Sequence, residues 1–304
     1  MITIDYRGVR VGDSLIGEPI VRFARDNYYP DLHLLTDHPD LFSHLDIPIN
    51  PKKFHPFLVS PNSWKMGEDG NWIQHPFATF VQIGRIHIQE YMSLFVLRQF
   101  LTDEYRPIQT PVTKTHQDYL LSKYPFIKDC WIIHPGFGEA QKSHGKEYWN
   151  SIAAKLRSRG LKLLRVGKTY SAQGLSFGSY DIESDFDLTD KLSLIEFLTA
   201  ISVCKGVITN ESSPVIMAGA FNKKLVSIFT AGHPDFLLPH RSTGSKHDDA
   251  ICLWGKKHYM MERNYAPHNN IDFYVDGSIP VVESIHLPTP DKVVESVFEL
   301  ELKD

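Results

Sequence analysis

The residues best suited to chemistry lie within residues 205–230, Lys-Gly-Val-Ile-Thr-Asn-Glu-Ser-Ser-Pro-Val-Ile-Met-Ala-Gly-Ala-Phe-Asn-Lys-Lys-Leu-Val-Ser-Ile-Phe-Thr. Residues 206–209 form a short apolar run, as in a buried parallel strand, and residues 210–213 a polar turn. Pro214 suits the first position of a helix and Ser213 the cap before it. Residues 215–220 are apolar and small, which predicts a short buried helix, and 225–229 reads as the next strand. A strand that ends in a small-residue turn and opens a helix presents unpaired N–H groups. With the helix dipole, these favour a phosphate. An ordinary strand–turn–helix corner has the same pattern, so this segment alone leaves both readings open.

Two further segments narrow the choice. Residues 132–149 read Ile-Ile-His-Pro-Gly-Phe-Gly-Glu-Ala-Gln-Lys-Ser-His-Gly-Lys-Glu-Tyr-Trp, and residues 187–196 read Asp-Leu-Thr-Asp-Lys-Leu-Ser-Leu-Ile-Glu. Together the three segments resemble the C-terminal half of the heptosyltransferase-like glycosyltransferases, glycosyltransferase family nine. That family carries His-Pro-Gly at a strand end, then Lys-x-Trp-Pro, Asp-Leu-Thr-Gly-x-x-Ser-Leu, and Asn-Asp-Ser-Gly-Pro-x-His. Lys142 falls on the motif lysine and residues 210–214 on the last motif. The resemblance resumes at Val11-Gly12-Asp13-Ser14-Leu15 and is weakest between about residues 45 and 80. It implies an α/β protein of GT-B architecture, two Rossmann-like domains facing across a cleft, with ligands at the carboxyl ends of the strands. It also implies inverting transfer of a sugar from a nucleotide-diphosphate donor, with one base, no metal and no further cofactor.

Such a transfer needs a base for the acceptor hydroxyl, donors for the leaving diphosphate, and a hold on the nucleoside. Asp13 is the candidate base. It follows Gly12 in the first loop after the first strand, where the family places its proposed catalytic aspartate; the competing role is a plain helix cap. Lys142 is the candidate for the diphosphate, by the family's spacing, with Lys146 the competing lysine. Gly136 and Gly138 would let the backbone approach a phosphate or nucleoside, and His134 would line the cleft. Glu211, Ser212 and Ser213 are the candidates at the second phosphate-facing turn, through their N–H groups and the serine hydroxyls. Here the sequence departs from the family. Glu211 stands for aspartate, Ser213 for glycine and Ile216 for histidine, which suggests a donor or acceptor other than heptose and its core sugar. Fifteen histidines raise the question of a metal, but none falls in a His-Glu-x-x-His pattern, and no metal site is expected.

The bulk properties agree with this class. The chain has 304 residues, ordinary for two domains, and its 42% hydrophobic content supplies a core that needs no disulfides. Its three cysteines are scattered, so neither a zinc ribbon nor a disulfide framework is indicated. A net charge of −4 disfavours a globally basic nucleic-acid binder. The N-terminus reads as a strand and not a signal peptide, and no apolar run approaches the ~20 residues of a membrane span, so a cytoplasmic protein is expected.

The elements that must position these residues alternate. Strands are predicted at residues 2–5 and 32–36, with a helix from 13 to 26 between them and a short helix over 37–45. Residues 46–80 are poorly periodic. Trp64, Trp72, Phe77 and Phe80, interspersed with Lys52, Lys53, Lys65 and Arg85, suit an acceptor surface, a nucleic-acid contact or plain core. A strand is predicted near 57–60 and a helix over 87–101. Pro107 and Pro111 mark residues 105–115 as the linker. The chain therefore divides into an acceptor-side domain, 1–115, and a nucleotide-sugar-binding domain, 116–304. In the second, strands are predicted at 130–134, 162–166, 206–209 and 225–229, and helices at 146–159 and 193–203. Residues 231–286 read as irregular. A last helix at about 290–302 is a candidate to pack back on the N-terminal domain, as in other GT-B proteins.

Three functions compete. The first is transfer to a saccharide, of the lipopolysaccharide type or another surface glycan. The second is phage-type transfer to hydroxymethylated bases in DNA. The third is a non-catalytic nucleotide-sugar-binding protein on the same scaffold. A dinucleotide oxidoreductase is disfavoured, since no Gly-x-Gly-x-x-Gly follows the first strand.

Overall fold

Two parallel sheets organise the chain. A computed structural model describes residues 2–53, 58–59, 64–66, 72–74, 87–137, 144–172, 175–230, 234–254 and 287–303. In the N-terminal half, strand β1 (Thr3–Tyr6) lies between β2 (His33–Thr36) and β3 (Leu58–Val59), parallel to both. Helix α1 (Val11–Asn27) makes the crossover from β1 to β2, with Leu15, Ile16, Ile20, Val21, Phe23 and Ala24 buried. The segment read as a short helix at 37–45 forms one 3₁₀ turn, Pro39–Phe42. Within the poorly periodic stretch, β4 (Trp64–Met66) and β5 (Trp72–Gln74) pair as an antiparallel ribbon. Phe77, Phe80 and Arg85 lie outside the described residues. Helix α2 (Ile88–Leu97) packs on α1; it stops short of residue 101 because Arg98 turns left-handed, at φ 60°.

The connection between the halves is irregular from residue 101 to Thr113, which caps helix α3 (Lys114–Lys123). This segment is tied to α1. Arg22 donates to the carbonyls of Tyr105 (3.0 Å) and Pro107 (2.8 Å), and the Glu18 carboxylate accepts from Gln109 N–H (2.9 Å).

The C-terminal sheet has six parallel strands. In chain order they are β6 (Trp131–His134), β8 (Leu163–Arg165), β11 (Phe186–Asp187), β12 (Gly206–Asn210), β13 (Lys224–Phe229) and β14 (Ala250–Trp254), and in space β11-β8-β6-β12-β13-β14. The edge strand β14 lies in the stretch read as irregular. Its run Ala-Ile-Cys-Leu-Trp carries an ordinary buried-strand pattern, hidden by the polar residues before it. A small antiparallel sheet, β7 (Gly136–Phe137), β10 (Leu175–Ser179) and β9 (Tyr170–Ala172), stands beside it.

Alternation along the strands sorts the two faces of the large sheet. Ile132, Val207 and Leu225 join a core that continues into α1 and the N-terminal sheet. Trp131, Ile133, Ile208 and Val226 face the other way, against helix α4 (Lys146–Ser158) and the last helix, α8 (Pro290–Glu301). Among the described residues, α8 therefore packs within the C-terminal half. Val293, Val297 and Leu300 are buried on the C-terminal sheet, and the Trp131 indole donates to Glu301 at 2.8 Å.

Helix α5 (Leu194–Val203) starts at a capping box in which Ser193 and Glu196 bond each other's backbone N–H. The preceding Asp-Leu-Thr-Asp is a brace. Asp187 accepts from Arg165 (2.7 Å) and from Thr189 N–H (2.8 Å). Burial pushes the Asp187 carboxyl up, and the bonds from Arg165 and Thr189 outweigh it and hold it at about 2. Asp190 occupies the motif's glycine position with φ 60°, and its carboxylate accepts from Thr169 N–H at 2.8 Å. Asp190→Ala is expected to keep the left-handed strain and lose the bond, destabilising by about 1 kcal/mol. Asp190→Gly should recover most of that loss, because glycine enters the left-handed region freely. Urea midpoints of the two variants check this.

Candidate active site

The candidate residues gather where the N-terminus of α1 meets helix α6 (Ser213–Ala220). Gly12 lies against this helix: a Cβ there would stand at ordinary contact distance, 3.4 Å from Ser213 Cα and 3.8 Å from Ile216 Cγ1. The amino ends of two helices therefore converge, one bearing Asp13 and the other following the 210–213 turn. Both ends carry partial positive charge, so the space between them favours an anion.

Asp13 is half-buried in the first turn of α1. It is not the cap. Arg10 holds that position, and no side chain caps the helix. Beneath it lies Tyr6, fully buried with its hydroxyl directed at the Gly17 carbonyl (3.5 Å). Burial, with the charges of Asp13 and Glu18, raises the Tyr6 phenol so that it stays protonated.

Helix α6 begins one residue earlier than its proline suggests. Ser212 is the cap residue, Ser213 the first helical residue, and Pro214 the second. Proline lacks an N–H, Val215 N–H bonds the Ser212 carbonyl (3.0 Å), and Glu211 N–H bonds the Ile228 carbonyl of β13 (3.0 Å). Of the three residues expected to offer N–H groups, Glu211 is thus committed to the sheet, which leaves Ser212 and Ser213 to face a ligand. The Ser212 hydroxyl points inward instead, 2.9 Å from Thr209 Oγ1 and 3.4 Å from His134 Nδ1. Ile216 packs in the core and against Gly12, so nothing polar replaces the family's histidine there.

His134 ends β6, as expected, with its ring flat over Gly136 and stacked toward Phe197 at 6.1 Å. Burial drives its pKa down to about 4, so the ring is neutral, with Nδ1 3.4 Å from both the Thr209 and Ser212 hydroxyls. The Gly136 carbonyl accepts from the Asn210 amide at 2.5 Å. Gly138 and Lys142 lie outside the described residues, and Lys146 is solvent-exposed in the first turn of α4. His144, buried against Trp149, is also held at about 4 by burial.

These two neutral buried histidines add to an acid dependence shared with His87 and His240, which burial holds at about 3 and about 4. In the unfolded chain each takes up a proton near its ordinary value of 6.5; in the fold each refuses it until about pH 4. Stability is therefore lost as pH falls through this window, by about 1.3 kcal/mol per histidine between about pH 7.5 and 5.5. Denaturant titrations at the two pH values check the slope, which His144→Gln should reduce by its own share.

Other histidines serve structure. His87 bonds the Leu238 carbonyl (2.8 Å) and lies tilted against His240, and His247 pairs with Asp235 (2.7 Å) of the short helix α7 (Pro234–Leu237). His233 and His258 lie outside the described residues. The sequence does hold an Asp-x-Asp, Asp185-Phe186-Asp187, a pattern that can bind a cation. Here Asp185 accepts from Leu163 N–H (2.8 Å) and Arg157 (3.2 Å), and Asp187 is bonded to Arg165. Among the described residues, no three His, Cys, Asp or Glu side chains gather as a metal site. Nor, among them, is any helix long and apolar enough to cross a membrane.

Reading the sequence for motifs missed Thr209. It closes an apolar strand and is fully buried, and its hydroxyl reaches His134 and Ser212. The available signal was a polar residue at the last position of a buried run.

Comparison with known proteins bears on the same region. The sequence model of glycosyltransferase family 9 (heptosyltransferase) matches residues 63–263, well over half of the chain. The matched span holds residues 134–142 and the 210–213 turn, and leaves out Asp13. Among solved structures, a family 9 glycosyl transferase from Veillonella parvula superposes with TM-score 0.68 at 13% identity, covering 100% of this chain and 97% of that one. ADP-heptose lipopolysaccharide heptosyltransferase II from E. coli gives 0.60 at 14%, covering 100% and 99%. The iron-containing dodecameric glycosyltransferase TibC from enterotoxigenic E. coli gives 0.60 at 14%, covering 99% and 76%. At these identities the likeness speaks for a shared GT-B fold. No curated protein matches the sequence.

Proposed function

Because this chain belongs to glycosyltransferase family 9, and is thus a GT-B glycosyltransferase using a nucleotide sugar, we propose that it is an inverting enzyme acting on a saccharide of the lipopolysaccharide type or another surface glycan. The observation that carries this reading is the contact of Gly12 with Ser213, which sets the Asp13 turn beside the turn suited to the diphosphate.

In this reading the acceptor oxygen attacks the anomeric carbon from the side opposite the diphosphate. As the new C–O bond forms, the hydroxyl proton passes to the Asp13 carboxylate. The bond to the diphosphate breaks and its electron pair leaves with the phosphate oxygen. Single displacement inverts the anomeric centre. The N–H groups of Ser212 and Ser213, at the positive end of α6, meet the developing charge. Lys142, supported by the family's spacing, supplies a cation on the same diphosphate. These groups together do the work a divalent ion would otherwise do, so the transfer needs no metal or cofactor.

A thermal-shift panel of nucleoside diphosphates and nucleotide sugars tests the donor class. A ligand of the native state at 100 times its dissociation constant stabilises by ~2.7 kcal/mol. A panel in which no diphosphate raises the melting temperature removes the reading.

A further inference from the structure

The large sheet stops at the site. Strands β6 and β12 pair in parallel, and Thr209↔His134 is their last paired step. Beyond it the two segments run into different turns, and among the described residues the strand pairing goes no further. Side chains take over. The Thr209 hydroxyl lies 3.3 Å from the His134 carbonyl, 3.4 Å from His134 Nδ1 and 2.9 Å from Ser212 Oγ. The next residue, Asn210, donates its amide to the Gly136 carbonyl at 2.5 Å. Both side chains are essentially buried, Thr209 at 0% and Asn210 at 1% exposure, so neither is placed to serve as a surface ligand.

We propose that Thr209 and Asn210 are positioning residues for the donor, clamping the His134–Gly136 turn to the 210–213 turn so that both face one diphosphate. The inference rests on the functional reading above and deepens it. Hydrogen bonds between buried partners fix a turn more firmly than solvated ones, because an alternative arrangement would leave polar groups unpaired. With the Ser212 hydroxyl held inward by Thr209, its N–H is directed by the same contact. The clamp also separates the two roles of Ser212: its hydroxyl orders the turn, and its backbone meets the ligand.

The test is calorimetric titration with ADP, and with UDP, GDP and CDP as further probes. Thr209→Val keeps the shape and removes the hydroxyl; it is expected to weaken the best diphosphate by about tenfold. Thr209→Ser keeps the hydroxyl and should bind within about twofold of wild type. Ile208→Val, on the same strand with its side chain in the opposite core, should lower the melting temperature and leave affinity unchanged. Should Thr209→Val fail to fold, Ser212→Ala removes the same contact from its half-buried end and carries the same expectation. Wild-type affinity in a folded Thr209→Val, or equal weakening by valine and serine, overturns the clamp. So does a loss in Ile208→Val that tracks its melting temperature. A wild-type protein that binds none of the four diphosphates overturns the donor assignment and the clamp with it. Binding by wild type with no effect of the variants overturns the clamp alone.

Discussion

Asp13→Asn is expected to slow sugar transfer by about 10²–10⁴-fold while donor affinity stays near wild type. Two contributions must be separated. Asp13 lies in the first turn of α1, where a negative charge gains from the helix dipole. Losing that charge costs about 0.3–1 kcal/mol of stability. It does not remove a cap, because Arg10 holds the cap position. A rate loss of 10²–10⁴, by contrast, is a barrier increase of about 3–5 kcal/mol, well above any dipole effect. Asparagine keeps the size of the side chain and can still accept a hydrogen bond, yet it cannot take the hydroxyl proton. On the proposed function the donor is held mainly by the turns that follow β6 and β12, so its binding should be spared. Single-turnover transfer beside a donor titration reads both quantities. A variant that transfers at near wild-type rate would leave Asp13 without a catalytic role, and His134 and Glu211 would be the next groups to test. His134 is then constrained by Thr209 and Ser212, whose hydroxyls both lie 3.4 Å from Nδ1.

Arg22→Met should have the largest effect on stability, on the order of 3–5 kcal/mol. Glu18 is fully buried within α1, and Arg22, one turn on, is nearly so, at 2.9 Å. The same carboxylate is within 3.3 Å of His44 and accepts from Gln109 N–H. Removing the guanidinium leaves a buried carboxylate with its principal charge partner gone. It also strips the carbonyls of Tyr105 and Pro107 of their donor, so the segment joining the two halves loses its tie to α1. The melting temperature should fall on the order of 10 °C. Glu18→Gln in the Arg22→Met background should recover much of the loss. A neutral amide oxygen still accepts from Gln109, and the cost of burying an unpaired charge disappears. If the double variant is no more stable than Arg22→Met, the loss lies in the linker carbonyls and not in the stranded charge.

Much of the fold is written locally. Runs such as Val-Ile-Thr at residues 207–209 and Leu-Val-Ser-Ile-Phe at 225–229 are bounded by polar turns, and both are strands. Ser193 with Glu196 marks a helix start within four residues, and Thr289 before Pro290 marks another. These signals depend on bonds between close neighbours, so they survive without knowledge of the rest of the chain. Where a local signal was ambiguous, boundaries moved. Pro214 fits either of the first two helical positions, and the helix took the one that turns the Ser212 hydroxyl inward.

The candidate site was legible for the same reason. A strand, a turn of small polar residues and a helix start at 206–214 form a local pattern, and so does the glycine before Asp13. What joins them is not local. Gly12 meets Ser213 only because α1 and α6 pack together, and Thr209 meets His134 across 75 residues because β12 pairs with β6 in one register. A shift of that register by one residue would turn Thr209 to the opposite face. The Glu18 carboxylate reaches Gln109 across 91 residues, and α8 settles on the far face of the C-terminal sheet because its valines share a core with Ile208 and Val226. The sequence by itself determined which residues could bear a phosphate and which could take a proton. The packing of α1 on α6, and the register of one strand pair, decided which of them lie side by side. Burial across distant segments is cooperative, and no window of the sequence contains it.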